Sequence, residues 1–156
     1  MRASALEMFR RLGASASGRW LFSRLVCRRA PYFATIAPRI EELEPGHCVV
    51  RLRDRRRVRN HLGSVHAIAL CNAAELAGGL ATDAALPPQL RWIPKGMQVR
   101  YLKKAHGTLR ATANVPRVDA ARGPHELHAK VEVHNAADEL VFDADITMWV
   151  SPRGSS

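Results

Sequence analysis

Asn60-His61-Leu62-Gly63-Ser64-Val65-His66-Ala67-Ile68-Ala69-Leu70-Cys71-Asn72-Ala73-Ala74-Glu75-Leu76-Ala77-Gly78-Gly79 is the stretch on which the reading of this chain turns. A polar loop rich in hydrogen-bonding side chains runs into a helix built almost wholly of small and apolar residues. With no charged face to offer to water, such a helix is expected to lie buried at the centre of the fold. Glu75 is the carboxylate inside it, and a charge taken out of water must be compensated. Two readings of Glu75 follow: a salt bridge to one of the chain's many arginines, or a chemical task. Ile68, Cys71 and Glu75 fall at i, i+3 and i+7, so Glu75 points the same way as two apolar residues.

The first turn of that helix, around Val65, His66 and Ala67, offers backbone N–H groups without intrahelical partners, a natural site for a carbonyl oxygen or an anion. Eight residues further on, Glu75 stands roughly 12 Å along the axis. One helix therefore cannot bring its N-terminus and its Glu75 to the same small reacting group. Two antiparallel copies can, so an active site here is expected to be shared across a dimer.

At 156 residues and 17.3 kDa the chain suits a single core. Residues 97–102, 108–115, 127–134 and 140–150 alternate apolar and polar side chains as half-buried strands do. Residues 47–53 follow the same rule, with a sixth candidate across 37–43. Short turns at 104–107 and 135–138 favour antiparallel pairing of neighbours. The expected architecture is α+β: an antiparallel sheet of five to six strands wrapped around one central apolar helix, with N-terminal capping helices. The expected organisation is a basic amphipathic helical segment over 1–34, a domain over 35–151 and a disordered tail over 152–156.

The pattern Asn60-x-x-Gly63-x-x-His66-Ala67, with Glu75 nine positions after the histidine, resembles the hot-dog-fold acyl-CoA thioesterases, closest to the phenylacetyl-CoA and general acyl-CoA branch. More specifically, from about Trp20 to Trp149 the chain resembles an uncharacterised hot-dog family related to that branch, a likeness to which segments such as Ala30-Pro31-Tyr32-Phe33 and Tyr101-Leu102-Lys103-Lys104-Ala105 add. The resemblance implies hydrolysis of an acyl-CoA thioester by a homodimer or dimer of dimers. It further implies that the Ala67 N–H polarises the thioester carbonyl, that Glu75 is base or nucleophile and that Asn60 orients the reacting groups. His66 stands at the loop–helix junction, and Gly63 and Ser64 are carried along as substrate-binding loop residues. Two features depart from the family pattern. Ala67-Ile68 stand where Gly-Gly is usual, and no Ser or Thr helper is evident around Ile93-Pro94-Lys95. These departures motivate an alternative, a non-catalytic acyl-CoA or lipid-binding module. A dehydratase of the same fold ranks third.

Charge is uneven. Residues 1–32 hold seven arginines against Glu7, and residues 51–59 hold six against Asp54, together more than the net charge of +10. Arg57 and Arg59 lead into the Asn60 loop and are candidates to grip coenzyme A phosphates, since guanidinium forks suit phosphate oxygens; a solvated loop is the plain alternative. Nucleic acid is not the expected partner, because no recognition helix, stacking platform or zinc spacing accompanies the basic balance. The N-terminal stripes Leu6, Met8, Phe9, Leu12 and Trp20, Leu21, Phe22, Leu25 read as a structural cap, with transient contact to an anionic membrane second and a targeting peptide third. Cys27, Cys48 and Cys71 show no paired spacing and read as reduced thiols of a cytoplasmic protein. No metal and no cofactor are expected. His128, His134, Asp143 and Asp145 are expected on the outer face of the sheet, the acids near Arg100 or Arg110.

Overall fold

The computed structural model describes residues 4–118 and 123–154. Of the segments expected at 1–34 and 152–156, residues 1–3, 155 and 156 lie outside the described residues. Helix α1 (Ala5–Leu12) starts on a Ser4–Glu7 capping box, in which each side chain bonds the other's backbone N–H. Helix α2 (Ala16–Arg29) follows after a short turn, and Phe9 meets Phe22 edge to face at 5.0 Å between ring centres. A 3-10 turn over Pro31–Ile36 then delivers the chain to the sheet.

Six strands, β1 (Arg39–Glu44), β2 (His47–Arg53), β3 (Leu90–Tyr101), β4 (Thr108–Asn114), β5 (His125–His134) and β6 (Leu140–Pro152), form one antiparallel sheet in the order β1-β2-β4-β5-β6-β3. Alternating apolar residues put Leu109, Ala111, Ala113, Val131, Val133, Phe142, Ile146 and Met148 on the buried face. The polar partners form ion pairs across strands on the other face. Arg100 makes two bonds to Asp143, at 2.9 and 2.6 Å, as one of the expected pairings has it. Asp145 instead bonds His128 at 2.8 Å and Lys130, and Arg110 reaches Glu42 at 3.3 Å.

Helix α3 (Ala67–Ala85) lies across the concave face, against β2, β4 and β5. This is the hot-dog arrangement. Small residues on α3 let the backbone come close to the sheet: a Cβ added at Gly78 would sit 2.9 Å from Ile146 Cδ1. The expectation that α3 is buried all round needs correction. The sheet and the N-terminal helices cover its core-facing sides, but Ile68 is 54% exposed, Cys71 is half-buried and Glu75 is exposed. These three form an outward ridge.

Strand β3 also departs from expectation. It begins seven residues earlier than the alternation at 97–102 indicates and contains Pro94, with its register against β6 shifting between Pro94 and Gly96. As the sheet's edge strand it has one hydrogen-bonded neighbour, so Pro94 can be accommodated without breaking a central ladder. Ile93, Met97 and Tyr101 on it are exposed, at 57%, 36% and 52%. The last strand continues through Pro152, and Arg153 bonds back to Gln89 and Leu90, so residues 152–153 are tied to the sheet rather than loose.

Candidate active site

Asn60 shapes the loop that enters α3. Its Oδ1 accepts from the N–H groups of Leu62 and Ser64 at 3.0 and 3.2 Å, and its Nδ2 donates to Ser64 Oγ at 3.0 Å. Gly63, at φ 77°, completes the turn, and Ser64 is buried beneath it. In this chain, the Asn60 amide group is thus spent on its own loop.

His66 is the N-cap of α3. Its Nδ1 accepts from the Ile68 N–H at 3.1 Å, which leaves the ring proton on Nε2. The N–H groups of Ala69 and Leu70 both reach His66 O, at 2.9 and 3.3 Å. Among the described residues only the Ala67 N–H of this first turn has no partner. The several helix amides expected for a carbonyl oxygen are therefore reduced to one. It sits at the positive end of a 19-residue helix.

Two clefts flank that turn. One, of about 380 Å³, is bordered by Asn60, Leu62, Ala67, Leu70, Tyr101 and Leu102. The other, of about 180 Å³, is bordered by Tyr32, Thr35, Arg57, His66, Ile68 and Asn72. The α3 ridge runs between them, and the Tyr101 hydroxyl lies 3.3 Å from Cys71 Sγ, joining the end of β3 to the ridge. Glu75 stands further along the ridge. It forms no hydrogen bond or ion pair with any described residue, so the salt bridge weighed for it within one chain is not present.

The two candidate phosphate-binding arginines differ. Arg59 Nε bonds Asp54 Oδ1 at 2.6 Å, while Asp54 Oδ2 accepts from the Gly107 N–H at 3.0 Å. The Arg59 hydrogen bond holds the Asp54 carboxyl below its ordinary range. Arg59 is thus occupied in tying its loop to the turn before β4, contrary to a free phosphate-gripping role. Arg57 is exposed at the rim of the smaller cleft and pairs with no described carboxylate.

Sequence reasoning missed Asn72, Thr35, Tyr32 and Tyr101. The available signal for Asn72 was its being the only amide side chain in a helix of small apolar residues. Among the described residues no three His, Cys, Asp or Glu side chains converge as metal ligands.

Residues 18–150 match a family model described as "Domain of unknown function (DUF4442)". None of the curated proteins matches the chain. Among solved structures, the protein called "genomics APC5556" is 43% identical, with 96% of this chain and 98% of that one covered and a TM-score of 0.82. PA5026 of Pseudomonas aeruginosa, called a "Probable Thioesterase", is 25% identical over 84% of this chain and 93% of its own, with a TM-score of 0.73. Thioesterase HI1161 of Haemophilus influenzae is 14% identical over 84% of this chain and 89% of its own, also at 0.73, a likeness of fold.

Proposed function

The chain belongs to the family described as Domain of unknown function (DUF4442), and from that premise we propose that it hydrolyses an acyl-CoA thioester at a site shared between two copies. The observation that carries this reading is the lone unpartnered Ala67 N–H at the start of a buried helix, set between two clefts. A thioester carbonyl oxygen placed on that N–H would have its developing charge stabilised by the amide and the helix dipole. The two clefts then take the two arms of the thioester, one on each side of the reacting carbon.

The second group comes from the partner subunit's Glu75, because about 12 Å separates Ala67 from Glu75 along one helix. The apolar ridge of Ile68 and Cys71 and the exposed residues of β3 support an association that covers both. Glu75 either takes a proton from the attacking water or attacks the carbonyl carbon itself. The C–S bond breaks in both cases, and coenzyme A leaves as the thiol. Asn60 holds the loop that sets the helix start, and His66 fixes the first turn as its cap. Arg57, with Gly63 and Ser64 nearby in the chain, borders the path of the substrate.

Thiol release from short, long and aromatic acyl-CoAs, measured for wild type beside Glu75→Gln, tests this. Turnover by the wild type and a loss of about a hundredfold or more in the variant are expected, with an unchanged melting temperature because Glu75 is exposed. Full activity in Glu75→Gln removes the mechanism. The Ala67-Ile68 and Ile93 departures favour one other reading, a module that binds acyl-CoA and releases no thiol.

The free thiols suit a reducing compartment, and we place the protein in the cytoplasm. No helix among the described residues is long and apolar enough to cross a membrane. Helix α2 contains no acid and exposes Trp20, Leu21 and Leu25 beside Arg24, Arg28 and Arg29, which supports transient contact with an anionic bilayer.

A further inference from the structure

Asn72 is the buried side chain that the proposed chemistry leaves unused. It is 5% exposed, and its Nδ2 donates to Thr35 Oγ1 at 3.1 Å. The Thr35 hydroxyl proton is already committed to Tyr32 O at 2.8 Å. Thr35 can therefore only accept from Asn72, and this fixes which way the amide is turned. Its Oδ1 then points away from Thr35, is itself buried and meets no donor among the described residues. Buried polar atoms without partners are uncommon, and each one calls for an explanation.

The cleft that Asn72 borders supplies one. At about 180 Å³ it has room for part of a substrate as well as water. Of its other polar side chains, His66 and Arg57 offer donors, while the exposed Tyr32 hydroxyl can give or take a hydrogen bond. His66 keeps its proton on Nε2 because Nδ1 is taken by Ile68, and Arg57 has no acceptor to give. Among the described residues that border this cleft, the buried side-chain acceptor without a partner belongs to Asn72. Five residues beyond Ala67, it lies about 7.5 Å along the helix from the N–H assigned to the thioester carbonyl. That separation is a few bonds of a substrate.

Resting on the thioesterase reading, we propose that Asn72 is a specificity-determining residue whose Oδ1 takes a hydrogen bond from an N–H or O–H of the bound thioester. Two sources place a donor at this distance: a hydroxyl on the acyl chain, or the first amide of the thiol arm. A site built around an acceptor discriminates against ligands that cannot fill it more strongly than an apolar wall does.

The test compares wild type and Asn72→Leu on butyryl-CoA, 3-hydroxybutyryl-CoA and ethyl thiobutyrate, the last of which has no donor. Asn72→Leu is expected to lower kcat/KM about tenfold or more on donor-bearing esters and to leave ethyl thiobutyrate unchanged. Loss confined to 3-hydroxybutyryl-CoA assigns the bond to the acyl hydroxyl; equal loss on both CoA esters assigns it to the thiol-arm amide. No change on any ester, or an equal fall on all three, overturns the proposal. The melting temperature should change little, since losing the Asn72–Thr35 bond is offset by removing a buried, unpaired carbonyl, and the exposed Thr35 can turn to water. Should Asn72→Leu fail to fold, Thr35→Val, which releases the amide from its fixed orientation, is expected to narrow the same preference, and an unaltered preference overturns the proposal. If the wild type hydrolyses nothing, the thioesterase reading fails separately. Calorimetry with S-butyl-CoA and S-(3-hydroxybutyl)-CoA then decides: binding at least tenfold weaker in Asn72→Leu upholds the role of Asn72, and equal binding or none overturns it.

Discussion

Ala67 is the first residue of α3, and His66 before it holds φ −63° and ψ 138°. That pair of angles is where a residue preceding proline prefers to be. Proline is also best tolerated at the first helical position, where its missing N–H breaks no intrahelical bond. Ala67→Pro therefore deletes the single unpartnered amide of the first turn while keeping the helix start. Its kcat is expected to fall about a hundredfold or more, with circular dichroism and melting temperature close to wild type. Retained turnover would show that the carbonyl is polarised elsewhere. At this scale the sequence was partly legible. The spacing of Asn60, His66 and Glu75 picks out one loop and the helix after it: Asn60 lies in the loop, His66 caps the helix and Glu75 stands on its exposed side. Asn72 was not legible, because an amide in a helix becomes an unmet acceptor only once Thr35 has packed against it and fixed its orientation. Nor was the engagement of Arg59 by Asp54, one of several pairings open to a chain so rich in arginine.

Helix α3 crosses the sheet at close range because alanines and glycines make up much of its buried side. A Cβ at Gly78 would stand 2.9 Å from Ile146 Cδ1, 3.4 Å from Ala129 Cβ and 3.6 Å from Val131 Cγ2. Valine there must push a branched side chain into a packed layer and also lose rotamer freedom in a helix. Gly78→Val is expected to destabilise by about 1–3 kcal/mol, lowering the melting temperature by roughly 2–12 °C for a chain of this length; differential scanning calorimetry checks it. An unchanged melting point would mean that the layer yields. Strands β2, β4, β5 and β6 were readable from alternation because one of their faces is buried and the other wet. The start of β3 was not. An edge strand exposed on much of both faces carries no period-two burial signal, and Pro94 hides it further. The ridge on α3 escaped for a related reason: composition alone cannot tell an apolar stripe facing a core from one facing outward.

Across the whole molecule, the two edges of the sheet differ. Strand β1 lies under the N-terminal helices, whereas β3 has a free edge. The basic charge of helix α2 and its exposed Trp20, Leu21 and Leu25 lead to a lipid prediction. The protein should sediment with vesicles containing phosphatidylglycerol, remain free with phosphatidylcholine alone, and be released by high salt. Serine at all three positions should abolish sedimentation without unfolding the domain; attachment that ignores lipid charge would refute this. A different use follows from the cysteines. Cys27 and Cys48 are buried, and burial raises the pKa of both thiols. Cys71 is half-buried on the ridge, four residues before Glu75 and beside Tyr101. The native chain thus carries one chemically addressable handle on this face. A fluorophore or nitroxide coupled there would report, with no engineered label site, on whatever comes to cover it.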